Sequence, residues 1–423
     1  MFHIVRSMRV AARADIIGRH RGPRVVLAAA IVAGTVLATS SIQSAAFASG
    51  IWSAPTLVDS GAVPTSVSCP TVKFCIAVDN SGNAVIHKRN NTWEAPNPID
   101  VGDGGLSSVS CATTLFCMAV DGVGNEKRYA YGTWFHAVSI DPGVALDSLS
   151  CVKNTLCVAV DGSGNALVYD GTAWTSPVDI DPGNSLTSVS CPKVSFCAVI
   201  DDGANALTYN GTSWSSPVSI DSGNTLESVS CASPILCAAV DDNGNAVTYN
   251  GTSWTSPTNV DGAHSLDSVS CAAAGLCVAV DDSGNALSYD GTSWSGATSI
   301  DSSNALASVS CPTANFCAAV DSVGNALTFP PPLVITTTSL PAGIHGHFYS
   351  TTLAGTGGNP PYKWFATLPR SLRINRTTGV ISGTPRRASH FVVTVTLLDQ
   401  KIRIPGRSAT QNRAVASLML TIS

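Results

Sequence analysis

The amino-acid sequence predicts an all-β protein whose larger part is a seven-bladed β-propeller. Only 12% of the 423 residues are charged, about half the share that is usual in soluble globular domains. Glycine, proline and the abundant Ser, Thr, Val and Asn favour strands and turns over helices. A repeat of about 40 residues, with two cysteines and one tryptophan in each copy, runs from residue 50 to residue 330.

One copy of the repeat shows four short strands. We predict strands over Ser213–Ile220, Leu226–Cys231, Cys237–Val240 and Ala246–Tyr249. Asp-Ser-Gly-Asn and Asp-Asp-Asn-Gly-Asn supply turn residues between them, and Asn-Gly, which favours a tight hairpin, opens the next copy. Four short strands repeated seven times are typical of a β-propeller. The tryptophan recurs at Trp52, Trp93, Trp134, Trp174, Trp214, Trp254 and Trp294.

The phase of the repeat predicts a closed ring. The chain enters at Ile51–Pro55, which matches the fourth, tryptophan-bearing strand of the other copies. The last copy ends at Ala326–Phe329, which matches the third strand, so its own fourth strand is missing. The first strand can therefore complete the last blade and leave no free sheet edge. This offset favours seven blades over six or eight, and a linear solenoid would not need it.

The cysteines fall in pairs with five residues between the two members. We predict that each pair forms a disulfide that closes a hairpin within its own repeat, which stabilises the fold by roughly 2–3 kcal/mol per pair in the chain-entropy view. The alternative is metal ligation, but this spacing without a nearby histidine is poor for zinc. The pairs are Cys69 with Cys75, Cys111 with Cys117, Cys151 with Cys157, Cys191 with Cys197, Cys231 with Cys237, Cys271 with Cys277, and Cys311 with Cys317.

The first 48 residues have the pattern of a secretory signal peptide. Six arginines precede the apolar run Val25–Ala38, which is too short to span a bilayer comfortably. Ala46-Phe47-Ala48 has the small residues of a cleavage site. We therefore expect a secreted or envelope-associated protein, with a mature N-terminus near Ser49 and no membrane span after cleavage. Export would explain cysteines that pair, and an uncleaved anchor is the alternative.

A second domain is predicted after the stiff linker Pro330–Pro332. Residues 333–423 contain no cysteine, and the 40-residue repeat stops there. Five segments of this part have a recognisable pattern: Tyr349–Leu353, Gly357–Trp364, Leu368-Pro369, Thr378–Pro385 and Val393–Val395. Together they resemble an Ig domain that is found in many bacterial surface proteins and has a cadherin-like β-sandwich fold.

The resemblance implies a spacer or adhesive module. Some related domains bind calcium through clustered acids. Asp399 is the one acid of this segment, so calcium stays open without support from clustered acids, and we expect no other cofactor. The Ser-Val-Ser-Cys and Ala-Val-Asp-x-x-Gly-Asn-Ala phrases of the earlier repeats are similar to repeats of secreted actinobacterial proteins. That similarity implies a location and a fold but no activity.

The two predicted domains carry opposite charge. Residues 49–332 contain 7 Lys and Arg and 26 Asp and Glu, and residues 333–423 contain 10 Lys and Arg and one acid. Their net charges are −19 and +9. With the +5 of residues 1–48, the whole chain carries −5, which excludes a generally basic nucleic-acid binder. Five arginines, Arg370, Arg373, Arg376, Arg386 and Arg387, are candidates for attachment to an anionic envelope polymer. The alternative is that the basic domain docks on the acidic propeller.

Fourteen of the propeller acids occupy two repeated positions that lie on one face of the ring. They either cap their own turns or form a face that attracts cations or binds polyols. The first set follows the tryptophan strand, at Asp59, Asp100, Asp141, Asp181, Asp221, Asp261 and Asp301. The second set ends the second strand, at Asp79, Asp121, Asp161, Asp201, Asp241, Asp281 and Asp321.

Four cations replace the apolar and small residues that the other repeats carry. They are Lys88 and Arg89 in the first repeat and Lys127 and Arg128 in the second. Departures from the shared repeat are candidates for ligand-binding residues. The alternative is an exposed outer strand that tolerates charge.

The sequence contains no His-Glu-x-x-His, Gly-x-Ser-x-Gly or Walker motif. His345 and His347 could hold a metal, but an exposed strand or loop explains the pair as well. The turns resemble the Asp-box of sialidases, yet sialidases need several arginines and the propeller has only Arg89 and Arg128.

We therefore predict a monomeric, non-enzymatic binding or adhesion protein that recognises an extracellular glycan, envelope polymer or protein. Two alternatives stay open. A polysaccharide hydrolase or lyase would place non-repeated acids, histidine and arginine at the mouth of the central channel. A structural spacer of the envelope would have no specific ligand.

Overall fold

The structure, a computed structural model, describes residues 52–88, 92–102, 104–272, 275–330, 333–358, 361–400 and 413–423. The predicted signal peptide, the linker residues Pro331 and Pro332, and the candidate Arg89 lie outside the described residues. Every named element in the described ranges is a β-strand, as the composition predicted. Within these ranges there is no helix with the length and hydropathy needed to cross a membrane.

The first part of the chain forms seven antiparallel sheets, which are the predicted blades. After β1 (Thr56–Leu57), blade 1 contains β2 (Pro64–Thr71), β3 (Phe74–Asp79), β4 (Asn83–His87) and β5 (Asn97–Pro98). Blade 2 contains β6 (Leu106–Thr113), β7 (Phe116–Asp121), β8 (Asn125–Ala130), β9 (Thr133–Trp134) and β10 (Val138–Ser139). Blade 3 contains β11 (Leu146–Lys153), β12 (Leu156–Asp161), β13 (Asn165–Tyr169) and β14 (Val178–Asp179).

The remaining blades follow the same order of strands. Blade 4 contains β15 (Leu186–Lys193), β16 (Phe196–Asp201), β17 (Asn205–Tyr209) and β18 (Val218–Ser219). Blade 5 contains β19 (Leu226–Ser233), β20 (Leu236–Asp241), β21 (Asn245–Tyr249) and β22 (Thr258–Asn259). Blade 6 contains β23 (Leu266–Ala272), β24 (Leu276–Asp281), β25 (Asn285–Tyr289) and β26 (Thr298–Ser299), and blade 7 contains β27 (Leu306–Thr313), β28 (Phe316–Asp321), β29 (Asn325–Phe329) and β1.

The first strand of each blade contacts the first strands of its neighbours, so these are the inner strands, and the fourth strands lie at the outer rim. The fourth strand is shorter than predicted. In blade 4 the predicted strand over residues 213–220 is reduced to Val218–Ser219 and an isolated bridge between Tyr209 and Trp214. Pro217 lies between the two paired segments, and proline has no amide hydrogen to donate to a sheet.

The N-terminal strand completes blade 7, which confirms the predicted closure. Thr56 pairs with Ala326, and Leu57 pairs with Asn325. Before this pairing begins, the Ser53 amide donates a hydrogen bond of 2.9 Å to the Thr328 carbonyl. Blade 7 therefore has four strands although its repeat supplies three.

Serine side chains join the inner strand of each blade to that of the next. Between blades 5 and 6, the Val269 amide donates to Ser228 Oγ at 3.1 Å and the Cys271 amide donates to Ser230 Oγ at 2.9 Å. The same two bonds occur at the other six interfaces, including the one between blades 7 and 1. These bonds run through the whole ring and pair amides that the inner edge of each sheet would otherwise leave free.

All seven predicted disulfides are present, and none of the described cysteines is free. Each one joins the end of an inner strand to the start of the second strand, and the Cα atoms of the pairs are 3.9–4.1 Å apart. Closing so short a loop stabilises the fold by roughly 2 kcal/mol in the chain-entropy view. In chain order the bonds join Cys69 to Cys75, Cys111 to Cys117, Cys151 to Cys157, Cys191 to Cys197, Cys231 to Cys237, Cys271 to Cys277, and Cys311 to Cys317.

The second cysteine of each pair is more deeply buried than the first. These second members open the second strands and are 0% exposed, whereas the first members keep a small exposed fraction. In blade 5, Cys231 lies directly opposite Cys237 across the two strands. The alternative of metal ligation is therefore wrong, because every one of these sulfur atoms is bonded to another. The fully buried cysteines are Cys75, Cys117, Cys157, Cys197, Cys237, Cys277 and Cys317.

The core of the propeller is divided among the blade interfaces. Between blades 4 and 5, Ile200, Leu226, Val229 and Val247 are buried together with the disulfide of blade 5. Equivalent clusters lie at the other interfaces. Because alanine and valine dominate them, the blades can approach closely enough for the serine contacts.

The C-terminal part is a β-sandwich with its own core. Its strands are β30 (Val334–Ile335), β31 (Tyr349–Thr352), β32 (Gly355–Thr356), β33 (Lys363–Ala366), β34 (Leu372–Ile374), β35 (Val380–Gly383), β36 (Ser389–Leu398) and β37 (Arg413–Ile422). These strands make two three-stranded sheets, β31-β35-β34 and β33-β36-β37, and a separate two-stranded sheet, β30-β32. Trp364, Ile381, Val393 and Leu420 are buried in this core.

Deletion of residues 52–58 is expected to leave blade 7 with three strands and to expose the edge of β29. An unpaired edge promotes association with other chains. We expect a lower Tm in circular dichroism and self-association in size-exclusion chromatography with light scattering. Leu57→Ser, at a side chain that is 60% exposed, is the control and should change neither. A truncated protein that stays monomeric with an unchanged Tm would contradict the closure.

Ala204→Gly is expected to stabilise the protein. Ala204 has φ +65° at the turn position where the other six blades carry glycine, and this backbone conformation costs a residue with a Cβ about 1 kcal/mol. We expect chemical denaturation to give a gain of that size. The control is Gly164→Ala in blade 3, which should destabilise because its Cβ would lie 2.4 Å from the Asp181 carbonyl oxygen. A loss of stability in Ala204→Gly would refute the strain.

Candidate functional site

The second set of repeated aspartates caps the turns between the second and third strands. Asp281 Oδ1 accepts hydrogen bonds from the amides of Ser283 at 3.0 Å and Asn285 at 2.6 Å, and Asp281 Oδ2 accepts one from Asn285 Nδ2 at 2.6 Å. In every blade the equivalent aspartate accepts from the amide and the side chain of the asparagine four residues later. These aspartates are at most 2% exposed, so the geometry matches the capping alternative.

The first set of repeated aspartates lies beside the second set. Burial raises the pKa of Asp221 to about 6, and the hydrogen bond between its side chain and Asp241 acts in the same direction. Asp59, Asp141 and Asp181 have pKa values of about 6 for the same reasons, and burial raises that of Asp261 to about 7. A protonated carboxyl can donate to the neighbouring carboxylate, so each of these blades holds a buried carboxyl–carboxylate pair.

Blade 2 replaces this arrangement with a buried ion pair. Lys127 Nζ lies 2.8 Å from Asp100 Oδ1, and the two side chains are 6% and 0% exposed. Lys127 occupies the position that holds the buried Leu167 in blade 3 and Leu207 in blade 4. The alternative of an exposed outer strand is therefore wrong for Lys127. It fails because the carboxylate that neutralises the lysine belongs to the turn leading into the same blade.

Two further candidate cations lie on or directly after third strands, Arg128 within β8 and Lys88 after β4. Lys88 is exposed and forms an ion pair with Glu94. The Arg128 guanidinium lies 5.2 Å from the centre of the Phe135 ring. Beside it, Glu126 is buried, and this burial raises the pKa of Glu126 to about 6 against the opposing charge of Arg128.

Grooves run between the outer strands of neighbouring blades. They have volumes of about 420 Å³ between blades 7 and 1, 540 Å³ between blades 1 and 2, 720 Å³ between blades 3 and 4, and 550 Å³ between blades 4 and 5. We call these four the rim grooves. Each has the repeated tryptophan of the following blade in its wall: Trp93, Trp134, Trp214 and Trp254, respectively. Sequence reasoning found the tryptophans but missed the grooves.

The groove between blades 4 and 5 shows how the walls are built. Trp254 is half-buried against Tyr249, with ring centres 5.2 Å apart. The opposite wall is the fourth strand of blade 4, where Val218 is 56% exposed. Ser219, Thr252 and other hydroxyl-bearing residues complete the lining. The groove therefore combines an aromatic wall, an aliphatic wall and hydroxyl groups.

The groove between blades 1 and 2 differs in chemistry. Glu94, Lys127 and His136 line it, and Asn97 stands on the wall where the groove between blades 4 and 5 has a valine. The ion pair of Lys88 with Glu94 adds a further charged group to this region. Of the predicted cations, Lys127 lines this groove, and Lys88 is paired with the lining residue Glu94. Arg128 lies beside Phe135, which also lines the groove.

At the second residue of the inner strand, some blades carry a hydroxyl that bonds to the next blade, and three blades carry an acid instead. Thr187 Oγ1 donates to the Leu226 carbonyl of the next blade at 2.7 Å, and Thr65 makes the same contact in blade 1. At the equivalent position blades 3, 5 and 6 carry Asp147, Glu227 and Asp267. Burial raises the pKa of Asp147 to about 6, with a further contribution from Asp161. Burial also raises the pKa values of Glu227 and Asp267.

The candidate arginines of the β-sandwich are exposed to solvent. Arg370, Arg373, Arg376, Arg386 and Arg387 all lie at its surface, and the Arg376 guanidinium lies 4.9 Å from the centre of the Phe365 ring. His345 Nε2 lies 3.2 Å from the Arg386 carbonyl oxygen. Among the described residues, no three His, Cys, Asp or Glu side chains form a group that could hold a metal ion.

Comparisons with known proteins agree with both parts of the fold. Residues 321–421 match the family described as "Putative Ig domain". The chain is similar to the solved structure "YCF48 bound to D1 peptide", with 11% identity, a TM-score of 0.55, and coverage of 66% of this chain and 96% of that one. It is also similar to YCF48 from Cyanidioschyzon merolae, with 14% identity, a TM-score of 0.52, and coverage of 66% and 98%. No curated protein matches the chain.

A third similar structure is the WD40 β-propeller domain of Doa1. Its identity is 11% and its TM-score 0.56, with coverage of 67% of this chain and 97% of that one. At such low identities the likeness establishes the propeller fold alone.

Asp221→Asn is expected to make the stability less dependent on pH. Between about pH 4 and pH 6 the folded protein keeps a proton on Asp221 that the unfolded chain releases, so stability falls as the pH rises through this window. The asparagine amide donates to Asp241 at any pH. We expect a Tm about 2 °C above that of the unmodified protein at pH 8 and no gain at pH 4.

Asp179→Asn is the charge-matched control, because this aspartate lies exposed on the fourth strand of blade 3. It should change the Tm little at either pH. A lower Tm for Asp221→Asn at pH 8 would show that the pair needs both carboxylates.

Proposed function

We propose that the protein is a non-enzymatic binding or adhesion protein of the extracellular space, which takes its ligand in the rim grooves. One observation carries the proposal: a groove with a tryptophan in its wall recurs between neighbouring blades, with volumes of about 420–720 Å³. Binding pockets typically have volumes of about 300–1,000 Å³. Several weak sites on one rigid ring favour a ligand that itself repeats, because each further contact becomes intramolecular.

The disulfides support the extracellular part of the proposal. Seven of them in one chain are typical of an oxidising compartment. The similar structure "YCF48 bound to D1 peptide" holds a bound peptide, which supports a binding role for a fold of this kind. A secreted protein with these properties would act at the cell surface or in the surrounding matrix.

The β-sandwich is proposed to add electrostatic attachment to an anionic envelope polymer. Its segment carries 10 Lys and Arg against one acid, and the five candidate arginines are exposed. Attraction between exposed charges is screened over about 8–10 Å at physiological salt. The two parts of the protein would therefore contribute binding that differs in its dependence on salt.

A polysaccharide hydrolase is the second candidate, because Asp147, Glu227 and Asp267 depart from the repeat at one level of the inner strands. Carboxyl groups with raised pKa values can serve as general acids. Release of reducing ends from a polysaccharide by the full-length protein, abolished by Glu227→Gln, would favour this candidate.

Co-sedimentation of the full-length protein with insoluble envelope material tests the proposal. Replacing Arg370, Arg373 and Arg386 by serine is expected to reduce binding several-fold at about 20 mM salt and to change it little at about 500 mM. The matched control replaces Lys73, Lys153 and Lys193, three exposed lysines of the propeller, and should bind like the unmodified protein. Equal loss in both variants would reject the arginine surface, and no sedimentation at either salt concentration would reject the binding function.

A further inference from the structure

We propose that the rim grooves between blades 3 and 4 and between blades 4 and 5 bind neutral polysaccharide, with a sugar ring seated between an indole and a valine. This inference rests on the proposed binding function and names its class of ligand. It follows from the shape of the two walls, the hydroxyl groups around them and the charge of the propeller.

The two walls present apolar surfaces to the space between them. In the groove between blades 4 and 5, the walls carry Trp254 and the exposed Val218. In the groove between blades 3 and 4, they carry Trp214 and Val178, which is 52% exposed. A sugar ring has C–H groups on its faces, and these pack against the electron-rich face of an indole.

The aromatic walls are fixed before a ligand arrives. Trp214 packs on Tyr209 and Trp254 packs on Tyr249, with ring centres 5.1 and 5.2 Å apart. Backbone bridges from Tyr209 to Trp214 and from Tyr249 to Trp254 hold the same segments. A wall that is already ordered loses little conformational entropy when a ligand binds.

Hydroxyl and carboxylate groups line the same grooves. Ser219 and Ser256 lie in the groove between blades 4 and 5, and Asp179 and Ser216 lie in the groove between blades 3 and 4. The Thr252 hydroxyl donates to Asn250 Oδ1 at 2.8 Å, so it faces a ligand as an acceptor. The edge of a sugar ring carries hydroxyl groups that both donate and accept, which suits such a lining.

Charge selects among polymers that offer such rings. Residues 49–332 carry a net charge of −19, and the described residues that line the two grooves include no lysine or arginine. Polyanions such as polyuronates are therefore repelled, whereas a neutral glycan is not. An extended peptide would bind weakly here. The outer strands have two residues each, so they offer few backbone groups for the hydrogen bonds of strand addition.

Each groove is expected to bind weakly and the polymer more tightly. The volumes of about 720 and 550 Å³ accommodate one or two sugar rings. When a polysaccharide occupies one groove, its next segments are held near the neighbouring groove at a high effective concentration. Affinity should therefore rise steeply with chain length.

The test measures binding of the full-length protein to soluble neutral glucans, mannans and galactans by affinity electrophoresis and titration calorimetry. The double variant with Val178→Glu and Val218→Glu places a charge on the valine wall of each groove without touching the core, and we expect roughly a tenfold loss of affinity or more. The matched control combines Val194→Glu and Ile235→Glu, because these valine and isoleucine side chains are 44% and 69% exposed at hairpin tips outside the grooves. The control variant should bind like the unmodified protein.

Each outcome decides the proposal. Binding of a neutral glycan that is lost in the groove variant and kept in the control supports it. Failure of every neutral glycan to bind, or binding of polygalacturonate or a proline-rich peptide instead, overturns it. If envelope material still binds and the groove variant abolishes that binding, the ligand class is wrong but the proposed function stands. If no neutral glycan binds and the groove variant leaves envelope binding unchanged at about 500 mM salt, where the arginine contribution is screened, both are wrong.

Discussion

Serine hydroxyls bridge every pair of neighbouring inner strands, and the ring depends on these contacts. Without them, the innermost edge of each sheet would leave amides unpaired, at a cost of about 1–3 kcal/mol for each one that is buried. Ser228 and Ser230 pair those of blade 6, and the same two positions do so in every other blade. Serine is short enough to let adjacent blades come together, which also explains why alanine and valine fill the interfaces.

The buried acids have two solutions to one electrostatic problem. In most blades two carboxyl groups lie together, and a shared proton removes the repulsion between them. In blade 2 a lysine supplies the positive charge, through the contact between Lys127 and Asp100. Removing one partner of such a buried ion pair is strongly destabilising, because it leaves the other charge uncompensated. Lys127 therefore has a structural role in blade 2 that does not depend on a ligand.

Periodicity and phase made the fold predictable. The 40-residue repeat and the cysteine spacing correspond to features of the structure because each records a local covalent or hydrogen-bonded unit. The missing last strand also corresponds to a feature, because a blade that lacks one strand has to take it from another part of the chain. The serine contacts were not predicted, because serine in an alternating strand is typical of a solvated face, and the partner amide lies about 40 residues away. Lys127 was misinterpreted for a related reason, since lysine is almost never fully buried unless it is paired.

The candidate site was less predictable than the fold. The repeated aspartates could be assigned to turns from the sequence. Whether they cap those turns or bind a ligand depended on whether their carboxylate oxygens face the backbone amides of the turn or the solvent. The rim grooves are formed by side chains of two neighbouring blades, such as Val218 and Trp254, which lie 36 positions apart. No local pattern records that distance, so the tryptophans were visible in the sequence while the space beside them was not.

The pairing of the first strand with the last blade has a consequence for how the molecule is made. Thr56 meets Ala326, which lies 270 positions further along the chain, and a contact so distant in sequence has a large entropic cost and forms slowly. Synthesis proceeds from the N-terminus, so this strand is made first and its partner β29 is made after all the other propeller strands. Each disulfide hairpin can close as soon as its own repeat emerges. The earliest strand must wait for the whole propeller, so the ring is completed in a single late step.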